Sequence, residues 1–219
     1  MDDGAVFNMT GGIIGGDTVA EGNSAVSYGG GVYVIGGIFN MYDSTSVSGN
    51  RAENSGGGVI VQGDSTLDGI LYGKFTMWDQ ATIYNNEAEY GGGVAVWYYG
   101  IFKMRGTFDL TNKVASVHGN KVTEICGCDI GGVGGGVDVF GGTLYISDGI
   151  IYGDSEADPE MDNTAETYGA ALTIADFTDG GIEGKAQRGT FNSSGTFEFN
   201  DDLIDSEQTI SIRDGVFWP

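Results

Sequence analysis

Apolar and polar residues alternate along this chain in short runs that return with nearly the same spelling. Val32-Tyr33-Val34, Val59-Ile60-Val61, Val94-Ala95-Val96, Val137-Asp138-Val139 and Leu172-Thr173-Ile174 each place two apolar side chains on one side of a three-residue segment. A period of two over so short a run predicts a β-strand with one face turned to a core. A second family of runs follows most of them: Phe39-Asn40-Met41, Phe75-Thr76-Met77, Phe102-Lys103-Met104 and Leu144-Tyr145-Ile146, with Phe7-Asn8-Met9 as an earlier member. A third, weaker apolar position stands at Val47 and Ile83, with counterparts expected near Leu110 and Ile150. Each unit is therefore expected to hold three short strands, and no stretch carries a helical period.

The joints are as regular as the strands. Gly-Gly-Gly-Val opens the first run at Gly29, Gly56, Gly91 and Gly134, and Gly169-Ala170-Ala171-Leu172 is a softened copy. Ahead of these stands Asn-x-Ala, at Asn23, Asn50, Asn86 and Asn163, with Asn120-Lys121-Val122 as a variant. One such unit cannot close a core, so the units must stack, each strand pairing in parallel with its equivalent one repeat on. The expected architecture is all-β, a right-handed parallel β-helix with three short strands per coil and about five to seven coils, roughly 30 Å long or a little more at the inter-strand spacing. Val, Phe and Met would form inward columns. Asparagine tolerates the left-handed backbone region, and its amide can bond to the same amide one coil away, so Asn23, Asn50, Asn86, Asn120 and Asn163 are expected to form a structural ladder. Turn residues that merely face water are the plainer alternative. An antiparallel sandwich or barrel is disfavoured because recurrent two-residue hairpin turns are missing.

The 219 residues are read as one domain, with clear repeats over 5–175 and degraded repeats plus a C-terminal cap over 176–219. Phe197-Glu198-Phe199 and Ile210-Ser211-Ile212 look like two degraded strands, and the end, Val216-Phe217-Trp218-Pro219, is expected to cover an otherwise bare sheet edge. Glycine is heavily used (41 residues) while proline is rare (2), consistent with regular corners rather than disorder. A formal charge of -22 repels phosphate backbones and anionic membranes, which excludes nucleic acid as a partner class and favours divalent cations wherever carboxylates converge. No apolar stretch is long enough to insert in a membrane as a helix. Met1-Asp2-Asp3-Gly4 lacks the regions of a signal peptide, yet a repeat strand begins almost at once, as in a piece of a longer precursor. The oligomeric state is not legible.

The string Phe-x-Met, Ile/Val-x-x-Asn-x-Ala, Gly-Gly-Gly-Val-x-Val resembles the repeats of bacterial and archaeal adhesin-like surface proteins, and is similar to polymorphic outer-membrane-protein-type repeats. The resemblance covers about residues 5–175. It implies a secreted or surface-displayed right-handed β-helix, located outside the cell, and says little about activity.

In repeat folds the insertions carry individual function. Five interrupt the pattern here, at residues 62–73, 105–116, 121–132, 153–162 and 175–190. Asp154, Glu156, Asp158, Glu160 and Asp162 alternate with other residues, which in an extended segment would align five carboxylates as candidate ligands for Ca²⁺; a solvated acidic loop is the plainer reading. Trp97-Tyr98-Tyr99 follows directly on a strand and cannot all point inward, so it is a candidate ligand-binding patch for sugar rings, or packs on the inserted Leu71-Tyr72. Cys126-Gly127-Cys128 reads as a ring disulfide or two thiols, with zinc disfavoured. His118, the only histidine, is expected at a corner. Asp138, Asp148, Asp201, Asp202 and Asp205 are candidate acids, too numerous to single out a catalytic pair, and no catalytic residue is assigned. The reading is a non-enzymatic adhesin-like β-helix presenting loops to a glycan or to a host or neighbour-cell surface protein. The alternatives are a glycosidase or lyase on a neutral glycan, and a structural module that stacks into fibres.

Overall fold

The computed structural model describes residues 4–66, 69–105, 114–123, 132–153, 160–165, 169–175, 181–191, 197–203, 205–206, 210–213 and 216–217. The chain is all-β, and no helix occurs among the described residues. Its strands are gathered mainly into four sheets, each of which takes one strand from each successive repeat.

The first sheet begins Val6–Met9, Ile38–Met41, Gly73–Trp78, Gly100–Arg105, Thr143–Ile146, Lys185–Phe191, all paired in parallel. Register keeps like with like: Phe7, Phe39, Phe75 and Phe102 are successive Cα partners, as are Met9, Met41, Met77 and Met104. The second sheet holds the third apolar position, with Ile14, Val47, Ile83, Val117 and Ile151 in one row. Val117 and Ile151 therefore occupy the places expected near Leu110 and Ile150. Ile150 instead partners Ser116, one residue out of step, and its neighbour Ile151 is the fully buried one; Leu110 lies outside the described residues. The Val-x-Val runs Val32–Ile35, Val59–Gln62, Val94–Trp97, Val137–Phe140 and Leu172–Ala175 make a parallel sheet of five strands.

The fourth sheet adds to the three-strand expectation. The Asn-x-Ala corner itself pairs in parallel, as Ser24–Ala25, Arg51–Ala52, Glu87–Ala88 and Lys121–Val122. Two residues are too few to show an apolar period, so this strand is hidden in the sequence.

The insertion at 62–73 folds as an antiparallel hairpin, Asp64–Thr66 with Gly69–Leu71. Beyond residue 190 the chain changes direction. Lys185–Phe191 still continues the first sheet in parallel, with Ala186 opposite Leu144, but Phe197–Asp202 turns back on it antiparallel, and Ile210–Arg213 closes the second sheet antiparallel to Gly149–Ile151. Val216–Phe217 pairs antiparallel with Ile210–Arg213. The two segments expected to be degraded strands are strands, of reversed direction.

The core between the sheets is made of the Val, Phe, Met and Ile rows, with Phe39, Phe75, Met77, Ile83, Phe102 and Met104 essentially solvent-free. Phe7, Phe39, Phe75 and Phe102 stack face to face, with centroids 4.8 to 5.3 Å apart.

Candidate functional site

The corner asparagines form a continuous ladder. The side-chain Nδ2 of Asn23 donates to Oδ1 of Asn50 at 2.9 Å, Asn50 to Asn86 at 3.0 Å, Asn86 to Asn120 at 2.9 Å, and Asn120 to Asn163 at 2.9 Å. Each Oδ1 also accepts the backbone N–H of the preceding asparagine, from Asn23 to Asn120. The remaining Nδ2 hydrogen reaches a backbone carbonyl, Ile14, Val47, Ile83 and Val117 in turn. A fully buried amide thus has its donors and its acceptor spent, which makes it a scaffold rather than a ligand site. Asn23 alone of the five is exposed.

The outer face of the Val-x-Val sheet is different. Its middle positions, Tyr33, Ile60, Ala95, Asp138 and Thr173, are Cα partners in one row pointing away from the core. Ile60, Ala95, Asp138 and Thr173 are nonetheless buried. Tyr28 packs edge-on against Trp97, centroids 5.1 Å apart, and against Tyr33 at 6.2 Å. Trp97 also meets Phe140 edge-on at 6.5 Å.

The three consecutive aromatics divide their roles. Tyr99 takes a left-handed backbone conformation, φ 59°, in the turn after Val94–Trp97, and its ring packs edge-on to Tyr72 of the inserted hairpin at 6.0 Å. Trp97 turns the other way, onto the sheet's outer face, and Tyr98 lies between them. The inserted loop therefore satisfies Tyr99 but not Trp97.

Beside Trp97 opens a cavity of about 450 Å³ whose lining includes Asn54, Tyr90, Trp97, Val133, Asp138, Phe140 and Ala175. Asp138 accepts the hydroxyl of Thr173 at 2.6 Å and is 5% exposed. Burial, with a smaller contribution from the charge of Asp205, pushes its carboxyl up to about 6, against the lowering effect of the Thr173 hydrogen bond. Asp205 is tied to the sheet by the backbone N–H of Ile174 at 2.7 Å. Asn54 accepts Ser55 Oγ at 2.7 Å through Oδ1. An aromatic wall, one amide and one carboxylate are what a polar organic ligand with flat faces needs.

Two candidates read separately in the sequence, Trp97 and Asp138, meet here. Tyr28, Tyr90 and Val133, which stand immediately before glycine clusters, and Asn54, one residue further upstream, escaped notice. The signal for this row is its fixed place one residue before each glycine cluster, and the structure pairs Tyr28, Ser55, Tyr90 and Val133 as successive bridge partners in adjacent repeats.

Of the proposed calcium ligands, Asp154, Glu156 and Asp158 lie outside the described residues. Glu160 is exposed in a turn and Asp162 is buried, so these two do not share one solvent face. Among the described residues no group of three His, Cys, Asp or Glu side chains is placed to hold a metal ion. Cys126 and Cys128 also lie outside the described residues. His118 sits in the strand Ser116–His118, not at a corner; its ring stacks on Tyr84 at 5.4 Å and meets Tyr152 edge-on at 5.9 Å. Arg188 and Asp201 pair at 3.1 Å and Gln187 donates to Asp202 at 2.9 Å, so those two acids serve the terminal hairpin. No helix of the described residues is long and apolar enough to cross a membrane. No family model matches the sequence, no curated protein matches it, and no solved structure matches the fold.

Proposed function

We propose that this chain is a non-enzymatic, adhesin-like binding module, a right-handed parallel β-helix displayed at a cell surface or secreted as part of a longer precursor, and that it recognises a glycan at the aromatic face around Trp97. The parallel, in-register pairing of equivalent residues in successive repeats supports the β-helical reading, as does the buried asparagine ladder. The adhesin-like spelling of the repeat supports the location.

The observation that carries the function is the Trp97 cavity. A rigid sheet presents Trp97, Phe140 and Tyr90 beside Asn54 and Asp138. Aromatic rings offer flat apolar contact to the C–H faces of a sugar, while planar polar side chains meet its hydroxyl groups. The net charge of -22 argues against uronate or sulfated ligands. A glycan array with the intact chain is expected to give binders among non-acidic glycans, and Trp97→Ala to abolish them without lowering the unfolding temperature by more than a few degrees. A blank array, or one unchanged by the substitution, removes this reading.

One observation favours an enzyme as the second reading. A carboxyl raised to about 6 in a cavity is protonated in mildly acidic solution, the state a glycosidase requires of one member of its acid pair. Turnover of a bound glycan that is lost in Asp138→Asn would decide for it.

A further inference from the structure

Asp138 is the one carboxylate among the described residues lining the Trp97 cavity. It stands where the outer row of the sheet otherwise carries Tyr33, Ile60, Ala95 and Thr173. One oxygen, Oδ1, takes the Thr173 hydroxyl at 2.6 Å. The other has no protein donor among the described residues.

Among the described residues, the groups facing it carry no positive charge. Its own sheet brings Ala95 and Thr173, the segment at 205–206 brings Asp205, and the cavity brings Tyr90 and Asn54. A buried carboxylate without a cation is costly, and the cost is relieved when a cation is supplied. Its carboxyl, raised to about 6, is still ionised at pH 7. The walls are aromatic, Trp97, Tyr90 and Phe140, and aromatic faces attract organic cations. The field of the whole chain draws cations as well.

We propose that this site selects a ligand bearing an organic ammonium group, an amino sugar with a free amine, whose ammonium lies against Asp138 and the aromatic wall while its ring rests on Trp97. The inference builds on the glycan reading and names the ligand class within it. An N-acetylated sugar of the same backbone would bring no charge and would leave the carboxylate unpaired.

The test is calorimetric titration of the intact chain at pH 7 and about 0.15 M salt, where exposed charges are largely screened. The probes are a glucosamine tetramer and the N-acetylglucosamine tetramer. The free-amine tetramer is expected to bind roughly tenfold more tightly or better, within the range of a desolvated cation–π contact plus an ion pair. Asp138→Asn, nearly isosteric, should erase that preference while keeping the unfolding temperature, and Trp97→Ala should weaken both tetramers. Equal or tighter binding of the acetylated tetramer overturns the ammonium assignment and leaves the glycan reading standing. A free-amine preference that survives in Asp138→Asn is generic attraction to an acidic chain and also overturns it. Failure of both tetramers together with a blank array removes both readings.

Discussion

Asn86 shows how much a single side chain does in this fold. It accepts from the backbone N–H and Nδ2 of Asn50 and donates to Asn120 and to the Val47 carbonyl, all out of solvent. Asn86→Ala would leave those groups buried and unsatisfied, and each such group costs about 1–3 kcal/mol. A loss of roughly 3 kcal/mol is expected in urea unfolding, against under about 1 kcal/mol for Asn23→Ala, whose amide is exposed. Equal losses would mean that the ladder is incidental. The residue ahead of three of the five ladder asparagines also takes a left-handed backbone, Gly49, Asn85 and Gly119 having φ of 63°, 55° and 61°, which glycine and asparagine adopt readily. The triple glycine has a separate cause. A Cβ on Gly57 would lie 2.4 Å from the carbonyl oxygen of Gly92 in the next repeat. At the last copy no further glycine cluster follows, and the antiparallel segment at Ser206 covers it instead; Ala170 and Ala171 are tolerated there.

Within a sheet, parallel register converts repeated spelling into columns. Phe39, Phe75 and Phe102 stack because each is the Cα partner of the next, and Leu144 ends the stack without disturbing it. Phe75→Leu should therefore cost on the order of 1 kcal/mol, and Phe75→Ala about 3–5 kcal/mol, because the two flanking rings cannot both collapse into the gap. Chemical denaturation separates the two. Register also sets charge: Arg51, Glu87 and Lys121 are successive partners in the short corner sheet, so its outer row alternates in sign, and Arg51 reaches Glu87 at 3.6 Å. Such half-exposed pairs contribute little to stability but disfavour a slip of one repeat against the next.

Taken whole, the molecule has two unlike ends. At one, Val6–Met9, Ile13–Gly15 and Val32–Ile35 are the outermost strands of their sheets among the described residues, with Val6, Phe7 and Ile13 each about half exposed. At the other, the reversed strands Phe197–Asp202 and Ile210–Arg213 pair with the last parallel strands, and Ser206 bonds to Leu172. An antiparallel strand does not offer the next parallel repeat its usual partner, so these strands are expected to act as a cap against edge-to-edge growth. Deletion of residues 197–219 should uncover Lys185–Phe191 and Gly149–Ile151 and turn a dispersed protein into one that aggregates with concentration, followed by light scattering. A truncated chain that stays dispersed would show that the reversed strands are not a cap.

Much of this was legible in the residues. The Phe, Met and Val rows, the glycine corners and the asparagine positions recur with the same local spelling because equivalent strands of successive repeats pair in register, so the same steric and hydrogen-bonding demands are written several times over. The two-residue corner strand left no mark because a period of two needs at least three residues to be seen. Lys185–Phe191 was missed because its inward side chain, Ala186, differs from the Phe and Leu before it. The cavity belongs to another class: Asn54, Tyr90, Trp97 and Asp138 lie in three repeats, and Asp138 is the one carboxylate in its row of Tyr33, Ile60, Ala95 and Thr173. Repetition announces what the repeats share, whereas a site made from their departures exists only once stacking has brought those departures together across the sheet.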